Sequence, residues 1–347
     1  MSLKNLSVKS KIPNQFKSKL LNQRLNQIFR KFERSFEVEG NFIVAVSGGP
    51  DSLALAFLTK LFAFKNKLRP KFYIIDHKLR KDSSIEASKV KKILKTFEIN
   101  AQILAWNGNK PVKNLQSIAR KKRYDLLFTK CKKFKINNLV LGHHNDDLFE
   151  NFFLRMLRGS GLKGLVSLGK KTQIQSINLI RPLINFEKRD LVFISKFVFN
   201  FYVDDPSNKD IKFGRIKIRN LIHQLKTLGL DKKKFQLTIE NLKRSDQTIK
   251  FYVEKNKSIN STMNYKKKEL ILKDNFFKNP YEVTFRSLSD LIQIIGKKHN
   301  PSRGKKIDKI LFKIKDRTLI KETLGGCVIK MVNRTVILTK ESKNNLV

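Results

Sequence analysis

The sequence is short of acid, cysteine, histidine and long apolar runs, and each shortage excludes something. Only two of the 347 residues are cysteine, Cys131 and Cys327. They cannot build a disulfide framework or a four-cysteine metal site. The five histidines, His77, His143, His144, His223 and His299, leave little room for a zinc enzyme. No stretch approaches the roughly 18 consecutive apolar residues of a membrane span. The N-terminal stretch is rich in Lys and Gln and lacks an apolar signal core, so the expectation is a soluble, cytoplasmic protein with no membrane partner. Asp plus Glu number 29 against 74 Lys plus Arg, a net charge of +45. A surface that basic repels itself and attracts polyanions. Lys, Asn, Ile and Phe all look inflated, as an AT-rich genome would make them, so the charge supports nucleic-acid binding without proving it.

Hydrophobic residues make up 40% of the chain and Phe alone numbers 27. A sizeable core can form, and wholesale disorder is excluded. The length suggests roughly two domains. Residues 1–40 read as a basic, weakly helical segment. Strand and helix patterns then alternate. Phe42–Val46, Phe72–Ile75, Ala101–Trp106, Leu139–Gly142 and Ile177–Ile180 read as strands. Between them, helices are expected over 53–64, from Ser83 to about Phe97 (opened by a Ser83–Glu86 capping box), over about 114–134 and over about 145–157. This alternation implies right-handed βαβ crossovers. The expected fold is α/β: a five-stranded parallel sheet with helices on both faces, binding its ligand beyond the strands' carboxyl ends. It is followed by helices over 216–228 and 234–255 and by a small mixed α+β region, with a helix at 285–295 and a hairpin at 323–339. The expected division is 1–40, a catalytic domain over 41–215, and 216–347.

Chemistry gathers at the strand ends. In Ser47-Gly48-Gly49-Pro50-Asp51-Ser52, two glycines let the backbone approach an oxyanion, two serines offer hydroxyls, and a helix start points its N–H groups the same way. That is a phosphate cradle, with Asp51 beside it as a Mg²⁺ ligand candidate; the plain alternative is a capped strand-to-helix turn. Gly142-His143-His144-Asn145-Asp146-Asp147-Leu148-Phe149-Glu150-Asn151 ends one strand and opens a helix. Asp146 and Glu150, like Asp147 and Glu150, can share a face there and hold a cation or an amine. The histidines could contact phosphate, move protons or serve structure alone. Arg120 and Arg123 stand three apart and could grip phosphate together, although a basic helix run is usually a solvated face. Gly159-Ser160-Gly161-Leu162-Lys163-Gly164 satisfies a dinucleotide-binding string but follows a helix, and Gly164–Lys171 nearly spells a Walker A loop without its hydroxyl; both are read as turns.

These motifs together resemble a known family. The Ser47–Ser52 loop is similar to that of the N-type ATP pyrophosphatases, the PP-loop enzymes that cleave ATP between its α and β phosphates. Within that group the sequence resembles the tRNA(Ile)-lysidine synthetases. Asp76-His77-Lys78-Leu79-Arg80 resembles the second motif, with Lys78 where Gly is usual. Arg120-Lys121-Lys122-Arg123-Tyr124 matches Arg-x-x-Arg-Tyr, and His143–Glu150 resembles His-His-x-x-Asp-Gln-x-Glu. Arg158–Leu165, Arg181-Pro182-Leu183 and Asp205-Pro206-Ser207-Asn208 also fit. Leu148, Asn151 and Ile216 depart from the pattern, replacing Gln, Thr and Asn. The tail matches loosely, through Thr323-Leu324-Gly325-Gly326-Cys327.

The resemblance implies ATP and Mg²⁺ as cofactors, with Ser47, Gly48, Gly49, Pro50, Asp51, Ser52, Asp76, Arg120, Arg123 and His143 at the nucleotide and Asp51 and Asp146 on the metal. Asp51, His144, Asp147 and Glu150 are the catalytic candidates. The implied reaction joins free lysine to the wobble cytidine of an isoleucine tRNA through an adenylated base. The oligomeric state is left open, a homodimer being one option. Three rivals are weighed against this. A tRNA thiolation enzyme needs cysteine partners that Cys131 and Cys327 lack. An ammonia-using amidating synthetase needs no such basic tail. A non-catalytic RNA-binding protein has no use for Asp51, Asp146 and Glu150.

Overall fold

The computed structural model describes residues 12–80, 82–108, 115–204, 214–298 and 301–341. It divides into two compact units, Met1–Asp231 and Lys232–Val347. The N-terminal helices and the helix over Gly214–Thr227 belong to the first of these units.

The first unit opens with α1 (Asn14–Leu20) and α2 (Gln23–Ser35). Along α2, Leu25, Ile28, Phe29 and Phe32 recur at helical spacing and are buried. They join Phe16 of α1 in the main core, so this basic segment is an integral layer of the fold. Next come β1 (Phe42–Val46), α3 (Pro50–Lys65), β2 (Lys71–Asp76), α4 (Ser83–Lys95), β3 (Ala101–Ala105) and α5 (Leu115–Phe134). They are followed by β4 (Asn138–Val140), α6 (Asn145–Met156), the short α7 (Leu162–Leu165), β5 (Lys171–Ile174), β6 (Ile177–Ile180), α8 (Lys188–Phe199) and α9 (Gly214–Thr227).

The sheet order is β3-β2-β1-β4-β6-β5. The first five are parallel, as the βαβ pattern requires. The sixth strand, β5, was not expected; it pairs antiparallel with β6 at the edge, and its Lys-Thr-Gln-Ile sequence carries no buried-strand signal. Side chains alternate across the sheet. Phe42, Val44, Val46, Phe72 and Ile74 face the core built with α1–α4 and α8. Ile43, Tyr73, Leu139, Leu141 and Leu179 face the other way, onto Leu127 and Cys131 of α5. Strand order reverses between β1 and β4, so the loops after those two strands flank the crevice where such sheets take ligands.

The second unit begins with α10 (Lys232–Asn260), whose buried face carries Ile239, Val253 and Asn256. β7 (Ser261–Asn264), β8 (Glu269–Leu272), α11 (Tyr281–Ile295), α12 (Gly304–Lys315), β9 (Lys321–Leu324), β10 (Cys327–Val332) and β11 (Thr335–Lys340) complete it. Its sheet is antiparallel in the order β7-β8-β11-β10-β9. The single hairpin expected over 323–339 is a three-stranded meander. Gly325 and Gly326, both at positive φ, make the first turn and Asn333 the second. The buried Asp246–Arg286 pair ties α10 to α11, with Glu282 on the same guanidinium.

Candidate active site

Apolar β1 leaves the core at Val46 and the chain turns sharply. Gly48 takes φ +85°, and its carbonyl accepts the Val203 N–H at 3.0 Å. Ser52 closes the bend from within: its Oγ accepts the Ser47 N–H at 3.0 Å, lies 3.1 Å from Ser47 Oγ, and donates to the Gly49 carbonyl at 3.0 Å. Pro50 sits at the first turn of α3, where no intrahelical N–H is needed. A Cβ at Gly49 would meet only Ser47 Oγ, at 3.9 Å, so the inner side of the bend is open. The start of α3 lies at that bend, where the helix dipole favours an anion, although the Ser52 and Leu53 N–H groups already donate to the Gly49 carbonyl at 3.1 Å.

The loop after β4 closes on the same bend. A Cβ at Gly142 would lie 3.4 Å from the backbone of Asp51 and Ser52, so the two loops pack in van der Waals contact there. His144 caps α6: its Nδ1 accepts the Asp146 N–H at 3.2 Å, while its own N–H donates to Asp147 Oδ2 at 2.9 Å. Nε2 of this buried side chain lies 3.6 Å from both Asp51 Oδ2 and Asp147 Oδ2. Asp51, His144 and Asp147 thus converge across the β1/β4 crevice. Lys188, first residue of α8, joins them with its Nζ 2.7 and 2.6 Å from the two Asp51 oxygens.

The other candidates divide. Glu150 is 3% exposed and held by Arg219 of α9, Nε to Oε1 at 2.5 Å. Asp146 and Asp147 both act on that guanidinium as well. Asp76 is turned inward. Ser83 and Ser84 donate to its two oxygens at 2.8 and 2.6 Å, and the Lys78 N–H at 2.9 Å. Burial pushes its carboxyl up, but these donors outweigh burial and hold it below the ordinary range. The Ser83–Glu86 capping box consequently does not form, because the serine hydroxyl serves Asp76 and Glu86 pairs with Arg80 at 2.8 Å. Lys78, standing where the family has Gly, is at φ +50°, the backbone region that glycine fills without strain.

Arg120 is exposed and packs on the Tyr124 ring; the Arg123 guanidinium lies over the same ring. Buried Arg181 donates to the Gly169 carbonyl at 2.9 Å and to Thr172 Oγ1 at 2.8 Å. His143 lies within reach of these three arginines. Burial and then their charges, against the opposing pull of Asp147, press its pKa down to about 3, so the imidazole is neutral. Its Nδ1 and the Nδ1 of His77 are buried with no hydrogen-bond partner among the described residues. Among the departures, Leu148 and Ile216 are buried core residues, and Asn151 donates to Ser167 Oγ at 3.3 Å. The Asp205–Asn208 motif lies outside the described residues. Lys188 was not singled out from the sequence; the signal available was a Lys-Arg pair opening a helix, where the dipole disfavours cations.

A family model described as a PP-loop domain matches residues 17–226. A tRNA(Ile)-lysidine synthase of Wolbachia sp. subsp. Brugia malayi (strain TRS) is 32% identical over 326 residues, covering 92% of this chain and 75% of that protein. The chain belongs to the tRNA(Ile)-lysidine synthase family. The lysidine synthase of Orientia tsutsugamushi (strain Boryong) is likewise 32% identical, over 319 residues, with 88% and 71% covered. Among solved structures, a U34-tRNA thiolase from Methanococcus maripaludis with its [4Fe-4S] cluster aligns at TM-score 0.53 and 17% identity, over 64% of this chain and 79% of that one. That likeness concerns the fold alone. The chain is accordingly an enzyme of the lysidine synthase type with an ATP-using PP-loop domain.

Proposed function

We propose that this enzyme ligates free lysine to C2 of the wobble cytidine of an isoleucine tRNA with a CAU anticodon, using ATP and releasing pyrophosphate and AMP. Family membership supports the reaction class. The observation that carries the reading is the convergence of Asp51, His144 and Asp147 on the open Ser47–Ser52 bend at the β1/β4 crevice.

ATP would lay its phosphates on that bend. The cytidine carbonyl oxygen attacks the α-phosphate, pyrophosphate leaves, and an adenylated base forms. The ε-amine of lysine then attacks the activated carbon and AMP departs. Arg120 and Arg123 suit the negative charge that builds in the first step. The amine must lose a proton in the second, for which Asp147, Glu150 and His144 are the candidates. With Nδ1 accepting a backbone N–H, the neutral His144 ring carries its proton on Nε2, so in this geometry it suits donating to Asp51 and Asp147 and orienting them. Glu150, paired with Arg219, suits holding a cationic amine as well as accepting its proton.

The residues fit Mg²⁺ in a limited way. No cluster of three metal-binding side chains exists among the described residues. Mg²⁺ at nucleotide sites commonly uses one or two carboxylates and takes its other ligands from phosphates and water. Asp51, beside the bend, would serve in that way, with Asp146 as the second expected donor. The ion would supply charge neutralisation at the phosphates.

The catalytic role is assigned to residues 41–215 and tRNA binding to the region over 216–347, of which 216–231 belong to the first compact unit. Lys and Arg neutralising tRNA phosphates give an affinity that falls steeply with salt. Cys131 and Cys327 are both buried and stand in different units, which gives the thiolation reading no support. The deciding experiment is mass analysis of the modified nucleoside after incubation with ATP, lysine and an isoleucine tRNA transcript. A lysine adduct on cytidine is the expected product, and an unmodified transcript refutes the reading.

A further inference from the structure

Lys188 is placed by the fold to do more than neutralise Asp51. The Ser195 hydroxyl, seven residues on along α8, donates to the Pro50 carbonyl at 2.7 Å, which ties α8 to the first turn of α3. The backbone of Lys188 is thereby fixed relative to the phosphate bend, while its side chain remains 41% exposed and able to swing. Its Nζ makes two short contacts to one carboxylate that is itself only 24% exposed. A divalent ion taking that carboxylate would turn this attraction into repulsion at the same spot. The nearest new anion for a displaced ammonium would be the outer phosphates of a nucleotide seated on the Ser47–Ser52 bend.

We infer that Lys188 is an exchangeable counter-ion: it holds Asp51 in the nucleotide-free enzyme and moves to the pyrophosphate end of ATP when Asp51 takes a divalent ion. The inference rests on the nucleotide reading of the bend given above. A flexible ammonium suits the task, since it behaves as a mobile point charge with three rotatable donors. Its position at the start of a helix, unfavourable for a cation by the dipole alone, follows from having an anion in either state.

The test uses the full-length protein and two variants, Lys188→Met and Lys188→Arg, with folding checked through the fluorescence of the single tryptophan, Trp106. Calorimetric titrations with ATP, pyrophosphate and AMP are run with Mg²⁺, and Mn²⁺ binding without nucleotide is followed by electron paramagnetic resonance. Loss of one charged contact to phosphate weakens ATP and pyrophosphate about ten- to a hundredfold in K188M. AMP, which has no outer phosphates, keeps its affinity within about twofold by the same count of lost contacts. Mn²⁺ binds K188M more tightly than wild type, because its competitor for Asp51 is gone. K188R restores most of the pyrophosphate affinity. Equal losses for AMP and pyrophosphate would make Lys188 a structural brace and overturn the assignment, as would unchanged ATP affinity or no gain in Mn²⁺ binding. A wild type that binds no ATP brings down the nucleotide reading itself, and the assignment with it.

Discussion

Gly48→Ala tests the phosphate bend most directly, because its cost can be worked out in parts. At φ +85° an alanine sits in the left-handed region, at roughly 1–2 kcal/mol. Its Cβ would also lie 2.7 Å from Val90 Cγ2 and 3.1 Å from Val203 Cγ2. Val90 is buried on α4, where a β-branched side chain has essentially one rotamer, so it cannot turn away. Val203 is held through its N–H to the Gly48 carbonyl. Forcing a methyl into such a space costs a further ~1–3 kcal/mol. The sum, about 2–5 kcal/mol, is a large share of an ordinary domain's stability of about 5–15 kcal/mol. Gly40→Ala is the control. Gly40 also has positive φ, +72°, but nothing lies within 4 Å of its Cβ, so it bears only the backbone part. Urea unfolding followed by fluorescence reads the first unit selectively. Trp106 is the only tryptophan, is buried, and its backbone N–H donates to the Asp76 carbonyl at 2.8 Å. G48A should unfold at clearly lower urea than G40A and lose ATP affinity, which G40A keeps. Equal midpoints for the two variants would refute the close packing of the bend against α4 and residue 203.

Glu150→Gln keeps a hydrogen-bond acceptor for Arg219 but removes the negative charge; lysine incorporation should fall about a hundredfold or more if the carboxylate takes part in proton transfer, and near-normal turnover would remove Glu150 from the mechanism. His143 stays neutral down to about pH 3 in the fold but titrates near its ordinary ~6.5 when unfolded. Between those values the unfolded chain holds the extra proton, so stability rises with pH through that window and is lost as pH falls below about 6.5, on the order of 1 kcal/mol per unit. His143→Asn should flatten the pH dependence of the urea midpoint between pH 5 and 7, and an unchanged slope would contradict the burial argument. Burial pushes the Cys131 thiol up to about 11 and the Cys327 thiol up to about 12. Both should resist a thiol-labelling reagent at neutral pH until the protein unfolds; rapid native labelling detected by mass would reopen a sulfur-based chemistry.

What was legible in the sequence was what is encoded locally. The parallel strands show because buried strands are continuous apolar runs, and the phosphate bend shows because its glycines, serines and aspartate are contiguous. The N-terminal helices read as a weak basic segment because their Lys and Arg dominate any average, even though Leu25, Ile28, Phe29 and Phe32 keep a helical period beneath them. Strand β5 escaped because an exposed edge strand needs no apolar pattern. The Ser83–Glu86 pattern misled because a cap sequence does not say whether a nearer acceptor, here Asp76, competes for the hydroxyl.

Pairing of charge was the illegible part, and it separates residues that look alike in the chain. Asp51 and Glu150 are both acids near helix starts, yet their partners lie 137 and 69 residues away. Asp51 meets a flexible, half-exposed lysine, an arrangement that water and a divalent ion can undo at small cost. Glu150 is 4% exposed at its side chain and meets an arginine, so breaking that pair by removing the cation strands a buried charge. The difference matches the division of labour proposed for the two steps. A carboxylate that must exchange partners as each nucleotide arrives and leaves has to sit in a pair that opens readily. A carboxylate that must present one fixed geometry to an incoming amine is better clamped from behind.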